Sequence, residues 1–376
     1  MAQKNINVFI DAHCFDNEFQ GTRTFIKELY IQLAKQSPNF TFFIAAKNIE
    51  NLKKEFSLIE NCKFIQYKYP STLLRLNIEI PTIIKKNNID IAHFQYIIPF
   101  IKACKYIVTT HDILFNDFKN DFSFLYRFLR NKLFKYSIKH ADIKTTVSAY
   151  SQKRIAFHYK INQNQIFVIP NGVSADYFSE YNKNEAQNYI LNKFSIENYI
   201  LYVSRIEPRK NHITLLNSFL KNELYKKNLS LVFIGKISIQ SDTLNKLIES
   251  MPLPAKKHFH HIEQVDNNDL MKLYQACKVF VYPTKAEGFG IPPIEAGALK
   301  VPVICSNNTA MSDFTFFNQT FFDPLDENKL SSLLNEILFS EVDTQLLNNI
   351  SEEIADKYSW KNSADVLKNL IEKTLK

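Results

Sequence analysis

Short apolar runs recur along this chain, separated by longer stretches with helical spacing. Val279–Pro283 is typical: β-branched and aromatic residues, too few for a buried helix. Such a run predicts a strand covered on both faces. Similar runs in the first half predict strands at Asn7–Ala12, Thr41–Ala45, Lys63–Tyr67, Asp90–Phe94, Tyr106–Thr110, Asp142–Val147 and Ile166–Pro170. In the second half they fall at Tyr199–Val203, Leu231–Gly235 and Val301–Cys305. Between them, sets such as Phe25, Ile26, Leu29, Tyr30 and Leu33, or Ile213, Leu216, Phe219 and Leu220, mark amphipathic helices. Strands alternating with helices predict an α/β chain whose parallel sheets carry helices on both faces.

After Val279–Pro283 comes a loop, Thr284–Gly290, with Gly288 and Gly290 where the backbone must bend or approach something closely. A helix then opens at Ile291, with Pro292 and Pro293 in its first turn, where proline costs little. A helix N-terminus carries about half a positive charge and several unpaired N–H groups, so it seats anions, most often phosphate. Glu287 and Glu295 flank that seat. Carboxylates repel an anion but suit the hydroxyls beside it, as on a sugar or a ribose. A sugar phosphate or nucleotide sugar fits this arrangement; so does a plain strand–helix–strand crossover with two solvated glutamates. Arg205, Arg209 and Lys210 follow the Tyr199–Val203 strand. Arginine grips phosphate with two parallel bonds and lysine adds a point charge. His93 and His111 close strands of the first half, where ligands of parallel sheets gather. A hydrogen-bonded core histidine is the plainer reading of each.

Composition narrows the setting. The chain has 376 residues, enough for two domains, and 45% of them are hydrophobic, enough for two cores. Only six glycines occur, against a usual share of about 7%. They fall at strand ends or on the helix that follows. Five scattered cysteines without CxxC spacing point to a reducing cytoplasm, and away from a disulfide framework or zinc site. No apolar run approaches a membrane span, and the N-terminus has no signal-peptide pattern. Of the net charge of +8, the first half carries all the positive excess, which implies an anionic partner there. Phe122–His140 concentrates it: Arg127, Arg130, Lys132, Lys135 and Lys139 lie among Phe122, Leu125, Tyr126, Leu129, Leu133 and Tyr136. This is either a helix at an anionic membrane surface, placing the protein at the inner face, or a packed helix with a solvated basic flank.

Glu287-Gly288-Phe289-Gly290 with Glu295 eight positions after Glu287 resembles the E-x7-E element of retaining glycosyltransferases of the GT-B fold, family four. The resemblance implies two Rossmann-like domains with parallel sheets facing a central cleft: residues 1–180 for the acceptor, 181–358 for a nucleotide sugar, and 359–376 as a terminal helix crossing back. In that family the first Glu faces the donor sugar, the amides after it hold sugar and diphosphate, and the second Glu binds ribose. Carried over, Glu287, Gly288, Phe289, Gly290, Ile291 and Glu295 bind donor. Arg205 and Lys210 match the family's diphosphate pair, although Ser204 stands where the family has glycine. Gly235 matches a glycine near the nucleoside, and Val265 lies where the base sits. Gly21, in Gln20-Gly21-Thr22-Arg23, takes the place of a richer glycine loop. His111-Asp112 resembles the H-D element, whose His lies near sugar and acceptor.

The implied activity is metal-independent transfer of a hexose from a nucleotide-diphosphate sugar to a saccharide or lipid-linked saccharide, with no cofactor. Ile206-Glu207-Pro208-Arg209-Lys210-Asn211 resembles mannosyl and rhamnosyl transferases of bacterial surface polysaccharides, so GDP-mannose is an expected donor. No Asp-x-Asp occurs to chelate a metal. The alternatives are a nucleotide-sugar epimerase of the same fold and a non-catalytic nucleotide-sugar-binding protein. A hydrolase using Glu287 and Glu295 fits less well, because a basic loop beside a helix N-terminus serves donor binding better. No nucleic acid is expected as a partner.

Overall fold

The computed structural model describes residues 5–16, 21–57 and 59–376, the side chain of Asn120 excepted. Gln20, in the expected glycine loop, lies outside the described residues. The chain packs as two units: residues 1–172 with 358–376, and residues 173–357. The sequence expectation ended the first domain at 180; in the structure residues 173–180 belong to the second unit as well. The helix Lys183–Phe194 buries Ala186 and Ile190, and the Tyr181 hydroxyl donates to the Leu299 carbonyl at 2.8 Å.

The first unit holds β1 (Ile6–Asp11), β2 (Phe40–Ala46), β3 (Cys62–Gln66), β4 (Ile91–Gln95), β5 (Lys105–Thr109), β6 (Ile143–Thr146) and β7 (Ile166–Val168). They form one parallel sheet in the order β3-β2-β1-β4-β5-β6-β7. The second holds β8 (Tyr199–Val203), β9 (Ser230–Ile234), β10 (Phe259–Ile262), β11 (Val279–Tyr282), β12 (Val303–Ser306) and β13 (Phe321–Phe322). Its order is β10-β9-β8-β11-β12-β13, again parallel. Each sheet is a Rossmann-like doubly wound layer. The central strands β4, β9 and β11 are buried along their whole length, β11 on an unbroken apolar run and β4 with its polar His93 and Gln95 hydrogen-bonded inside.

Strand order fixes where a ligand can sit. Each sheet is built outward from its first strand in one direction, then in the other. The reversal falls between β1 and β4 in the first unit and between β8 and β11 in the second. The loops leaving the carboxyl ends of such a pair run to opposite faces and leave a crevice.

The helices that matter below are α1 (Gly21–Gln36), α2 (Phe124–His140), α3 (Lys183–Phe194), α4 (His212–Lys221), α5 (Asn267–Ala276), α6 (Ile291–Ala298), α7 (Thr344–Lys357) and α8 (Trp360–Leu375). The terminal helix α8 folds with the first unit. Leu367 and Ile371 are buried there, Lys368 Nζ donates to the Gln36 carbonyl at 2.8 Å, and Ser363 Oγ donates to Pro170 O at 2.8 Å.

Helix α2 departs from the expected stripe. Its buried residues are Phe134, Ser137 and Ile138, whereas Leu125, Tyr126 and Leu129 are exposed. The amphipathic pattern was real, but only the second half of the helix meets the core. Among the described residues no helix is long and apolar enough to cross a membrane.

Candidate active site

The second unit's strand-order reversal brings together two loops that the sequence singled out. One leaves β8 and carries Arg205 to Asn211; the other leaves β11 and carries Thr284 to Gly290. Asn211 ties them. It adopts a left-handed conformation, φ 62°, before α4, and its side-chain amide donates to Pro283 O at 3.0 Å and Pro324 O at 2.7 Å. The Lys285 amide donates to Arg209 O at 2.9 Å.

At the junction Lys210 Nζ donates directly to Glu287 Oε1. Both residues are buried, at 8% and 9% exposure, so this is an interior ion pair. The Tyr282 hydroxyl donates to the same carboxylate oxygen at 2.8 Å, and Arg209 Nη1 stands 3.5 Å from the other. The Glu287 backbone N–H is fixed by Thr309 Oγ1 at 2.9 Å. Burial by itself would raise the Glu287 pKa; the Lys210 and Arg209 charges, with hydrogen bonds from Lys210 and Tyr282, overcome it and hold the group below the usual carboxylate range. Burial also lowers Lys210, against the pull of Glu287. Charges taken this far from water persist only as a closely bonded set.

Arg209 is engaged on the protein itself: it donates to Glu207 Oε1 at 2.6 Å and to Ala286 O at 2.5 Å. Arg205 is exposed, and among the described residues its guanidinium has no ion pair or hydrogen bond. The three loop cations therefore differ: one buried on Glu287, one bracing the loops, one open to solvent.

Gly290 opens α6 with φ +96°, which side-chain-bearing residues rarely adopt, and a Cβ there would run into Met311. Phe289 is buried edge-on to Phe314, centroids 5.5 Å apart, which anchors the loop. Ile291 and Glu295 are half-buried on α6. Glu295 accepts a hydrogen bond from the Tyr274 hydroxyl at 3.0 Å. Burial raises its pKa to about 7, partly offset by that bond. Gly235 follows β9 at φ +141°; a Cβ there would meet the Ser204 carbonyl, so the β8 and β9 loops approach closely. Val265 lies half-buried past the end of β10. Gly288 is buried between Glu287 and Phe289.

The remaining candidates lie in the first unit. Gly21 is exposed at the start of α1 with open space where a Cβ would stand, so nothing in this packing requires glycine. His111 follows β5, and its Nε2 is hydrogen-bonded to Gln95 Oε1 at 2.7 Å. Phe25 meets its ring edge-on at 5.0 Å. Burial lowers its pKa to about 3, so it is a neutral imidazole at ordinary pH. His93 is a satisfied core residue, bonded to the Tyr30 hydroxyl at 2.6 Å and to Thr109 Oγ1 at 2.7 Å.

Sequence reasoning gave no site role to Tyr282, Thr309, Asn211 or Tyr274. A weak signal existed for Tyr282: Phe280 and Tyr282 share a strand face, which points a polar tip towards the loop after the strand. Thr309 had none.

Known proteins resemble the chain in sequence and in fold. The family model described as glycosyl transferases group 1 matches residues 183–357, and the model described as glycosyltransferase family 4 matches residues 19–177. Among curated relatives, the O-antigen chain mannosyltransferase RfbU of Salmonella typhimurium is 30% identical over 231 residues, 61% of this chain and 60% of its own length. The O-antigen chain mannosyltransferase B of Escherichia coli is 28% identical over 60% of this chain and 59% of its own length. The matched stretch thus spans under two thirds of either relative. Among solved structures, a glycosyltransferase from Rickettsia africae superposes with a TM-score of 0.76 at 19% identity, covering 99% of both chains. Anabaena HepE in complex with UDP-glucose gives 0.74 at 13% identity, covering 98% of this chain and 99% of its own. Both are similar in fold. With each half of the sequence matched by a model of the same group, the chain belongs to the group 1, family 4 glycosyltransferases, with the GT-B fold.

Proposed function

We propose that this chain is a retaining glycosyltransferase that moves a hexose from a nucleotide-diphosphate sugar to a saccharide or lipid-linked saccharide during surface polysaccharide synthesis. The observation that carries this reading is the buried Lys210–Glu287 pair at the β8/β11 reversal, next to the left-handed glycine that opens α6. Mannose on a guanosine diphosphate is the favoured donor, because the relatives above are named as O-antigen mannosyltransferases.

Breaking the sugar–phosphate bond places negative charge on the departing diphosphate. Lys210 is already held at the crevice, and the exposed Arg205 is free to grip a phosphate oxygen pair. With the backbone dipoles of Gly288 to Ile291 they offset that charge without a divalent metal or other cofactor. When Lys210 turns to phosphate, Glu287 is released to accept from sugar hydroxyls. Glu295 takes the ribose hydroxyls, and Gly235 and Val265 line the nucleoside. In the first unit, neutral His111 has its second ring nitrogen left for an acceptor hydroxyl. That hydroxyl attacks the anomeric carbon from the side the diphosphate leaves and passes its proton to the departing diphosphate oxygen, so configuration is kept.

The test is product analysis by NMR with nucleotide sugars and saccharide acceptors in EDTA. A glycoside with the donor's anomeric configuration is expected. Lys210→Ala and Arg205→Ala should each lower kcat by about a hundredfold, roughly 3 kcal/mol in the transition state. Arg205→Ala should leave stability unchanged, because its side chain is exposed. Full activity in either variant removes the diphosphate assignment. Activity abolished by EDTA and restored by magnesium overturns the metal-free reading. A new sugar isomer formed from donor alone makes the chain an epimerase instead.

A further inference from the structure

The first unit carries a face that its own folding does not use. On the first two turns of α2, Phe124, Leu125, Phe128 and Leu129 are 74%, 64%, 45% and 50% exposed. The loop between β4 and β5 adds Phe100 and Ile101, at 50% and 57%. Leu125, Leu129 and Tyr136 share one side of α2, and the loop meets that side two turns beyond Leu129. The Phe100 ring packs on Tyr136 of α2 at 5.0 Å, and the Tyr136 hydroxyl donates to Phe100 O at 3.4 Å. The Phe100 amide donates to Asn77 Oδ1 at 3.0 Å, which brings in the neighbouring turn with exposed Ile78. Three elements thus meet with large apolar side chains turned to water. Monomers rarely keep such a patch unless something covers it.

Charge identifies the cover. Residues 124–140 contain five Lys and Arg and no Asp or Glu. The cations lie along the rings: Arg127 over Phe124 at 5.9 Å, Arg130 over Tyr126 at 5.3 Å and Lys132 over Phe128 at 4.4 Å. A protein partner's interface core is depleted of charge, whereas here cations interleave with the apolar side chains. That mixture matches a lipid interface, where rings sit at headgroup depth and long cations reach back to phosphate. Ser123 caps the exposed end of the helix, accepting from the Tyr126 amide at 3.4 Å, so the face is helical before anything binds.

We infer that this face of the first unit docks on an anionic lipid bilayer, with α2 lying in the interface and the Phe100–Ile101 loop inserting beside it. The inference does not depend on the proposed transfer reaction, and its test has no catalytic readout. The purified full chain is floated with phosphatidylcholine vesicles, with and without about one third phosphatidylglycerol. Binding to the anionic vesicles only, weakened several-fold by high salt, is expected. The variant Phe124→Ser/Leu125→Ser/Phe128→Ser/Leu129→Ser should partition at least about tenfold more weakly. A second variant, Lys132→Gln/Lys135→Gln/Lys139→Gln, should lose about tenfold or more at low salt and keeps the test decisive if the first fails to fold. Three results would overturn the inference: wild type left unbound by anionic vesicles, equal binding by wild type and a folded variant, or a wild-type dimer in sedimentation equilibrium that the serine variant makes monomeric. The last would assign the face to a second copy of the chain.

Discussion

Glu295 shows how far one side chain's surroundings can reset its chemistry. Its ordinary value is 4.5, and burial beside Tyr274 raises it to about 7. The folded chain therefore keeps a proton that the unfolded chain releases between those values. Stability contributed by the neutral form falls as pH rises from about 4.5 through about 7, and the loss is complete above that. Glu295→Gln should then stabilise the protein by roughly 1–2 kcal/mol at pH 8, a figure discounted for partial exposure, and change little at pH 4. Urea unfolding at both pH values reads this out; an equal effect at both would exclude Glu295 ionisation as the cause. At this scale, spacing in the sequence marked Lys210 and Glu287, and the structure places their side chains in contact. It could not show that Arg209, four residues after Arg205 and next to Lys210, is consumed by Glu207 and Ala286 while Arg205 stays open. Which cation is spent on the protein depends on side-chain reach across loops, not on order along the chain.

Among the elements, α6 is the one whose start is built most narrowly. Two prolines occupy its first turn, where no helical N–H is lost, and Gly290 turns the chain into it with a positive φ. Gly290→Ala should cost roughly 2 kcal/mol from backbone strain and the displacement of Met311, lowering Tm by several degrees. Gly21→Ala, at an exposed helix start with open space, should be close to neutral. Thermal unfolding of the two variants side by side is the check, and matching Tm values would remove the strain argument. The strands were legible because residues buried on both faces are mostly apolar, and polar exceptions such as His93 and Gln95 are hydrogen-bonded. The two-residue β13 was not, since so short a run has no periodicity to read. The exposed half of α2 was equally hidden: helical spacing shows that a stripe exists, not what it faces.

For the whole molecule, α8 is the far end of the sequence serving the near end of the fold. Trp360 is buried against Phe25 of α1, centroids 6.2 Å apart, and its backbone lies against Gly172. Trp360→Ala should destabilise the first unit by roughly 3 kcal/mol, so that amides in α1 exchange about a hundredfold faster while those of β8 keep their protection. Unchanged exchange in α1 would mean that α8 does not hold the first unit together. By itself the sequence determined the alternation of strand and helix, the two parallel sheets and the glycine and charged positions at strand ends, because burial on two faces and left-handed turns restrict which residues can stand there. Only the tertiary structure decided the order of strands within each sheet, hence the crevice between β8 and β11, the partners of each loop cation and the face of α2 left open to water. Those depend on which distant segments share a neighbourhood, and local pattern along a chain carries no record of that.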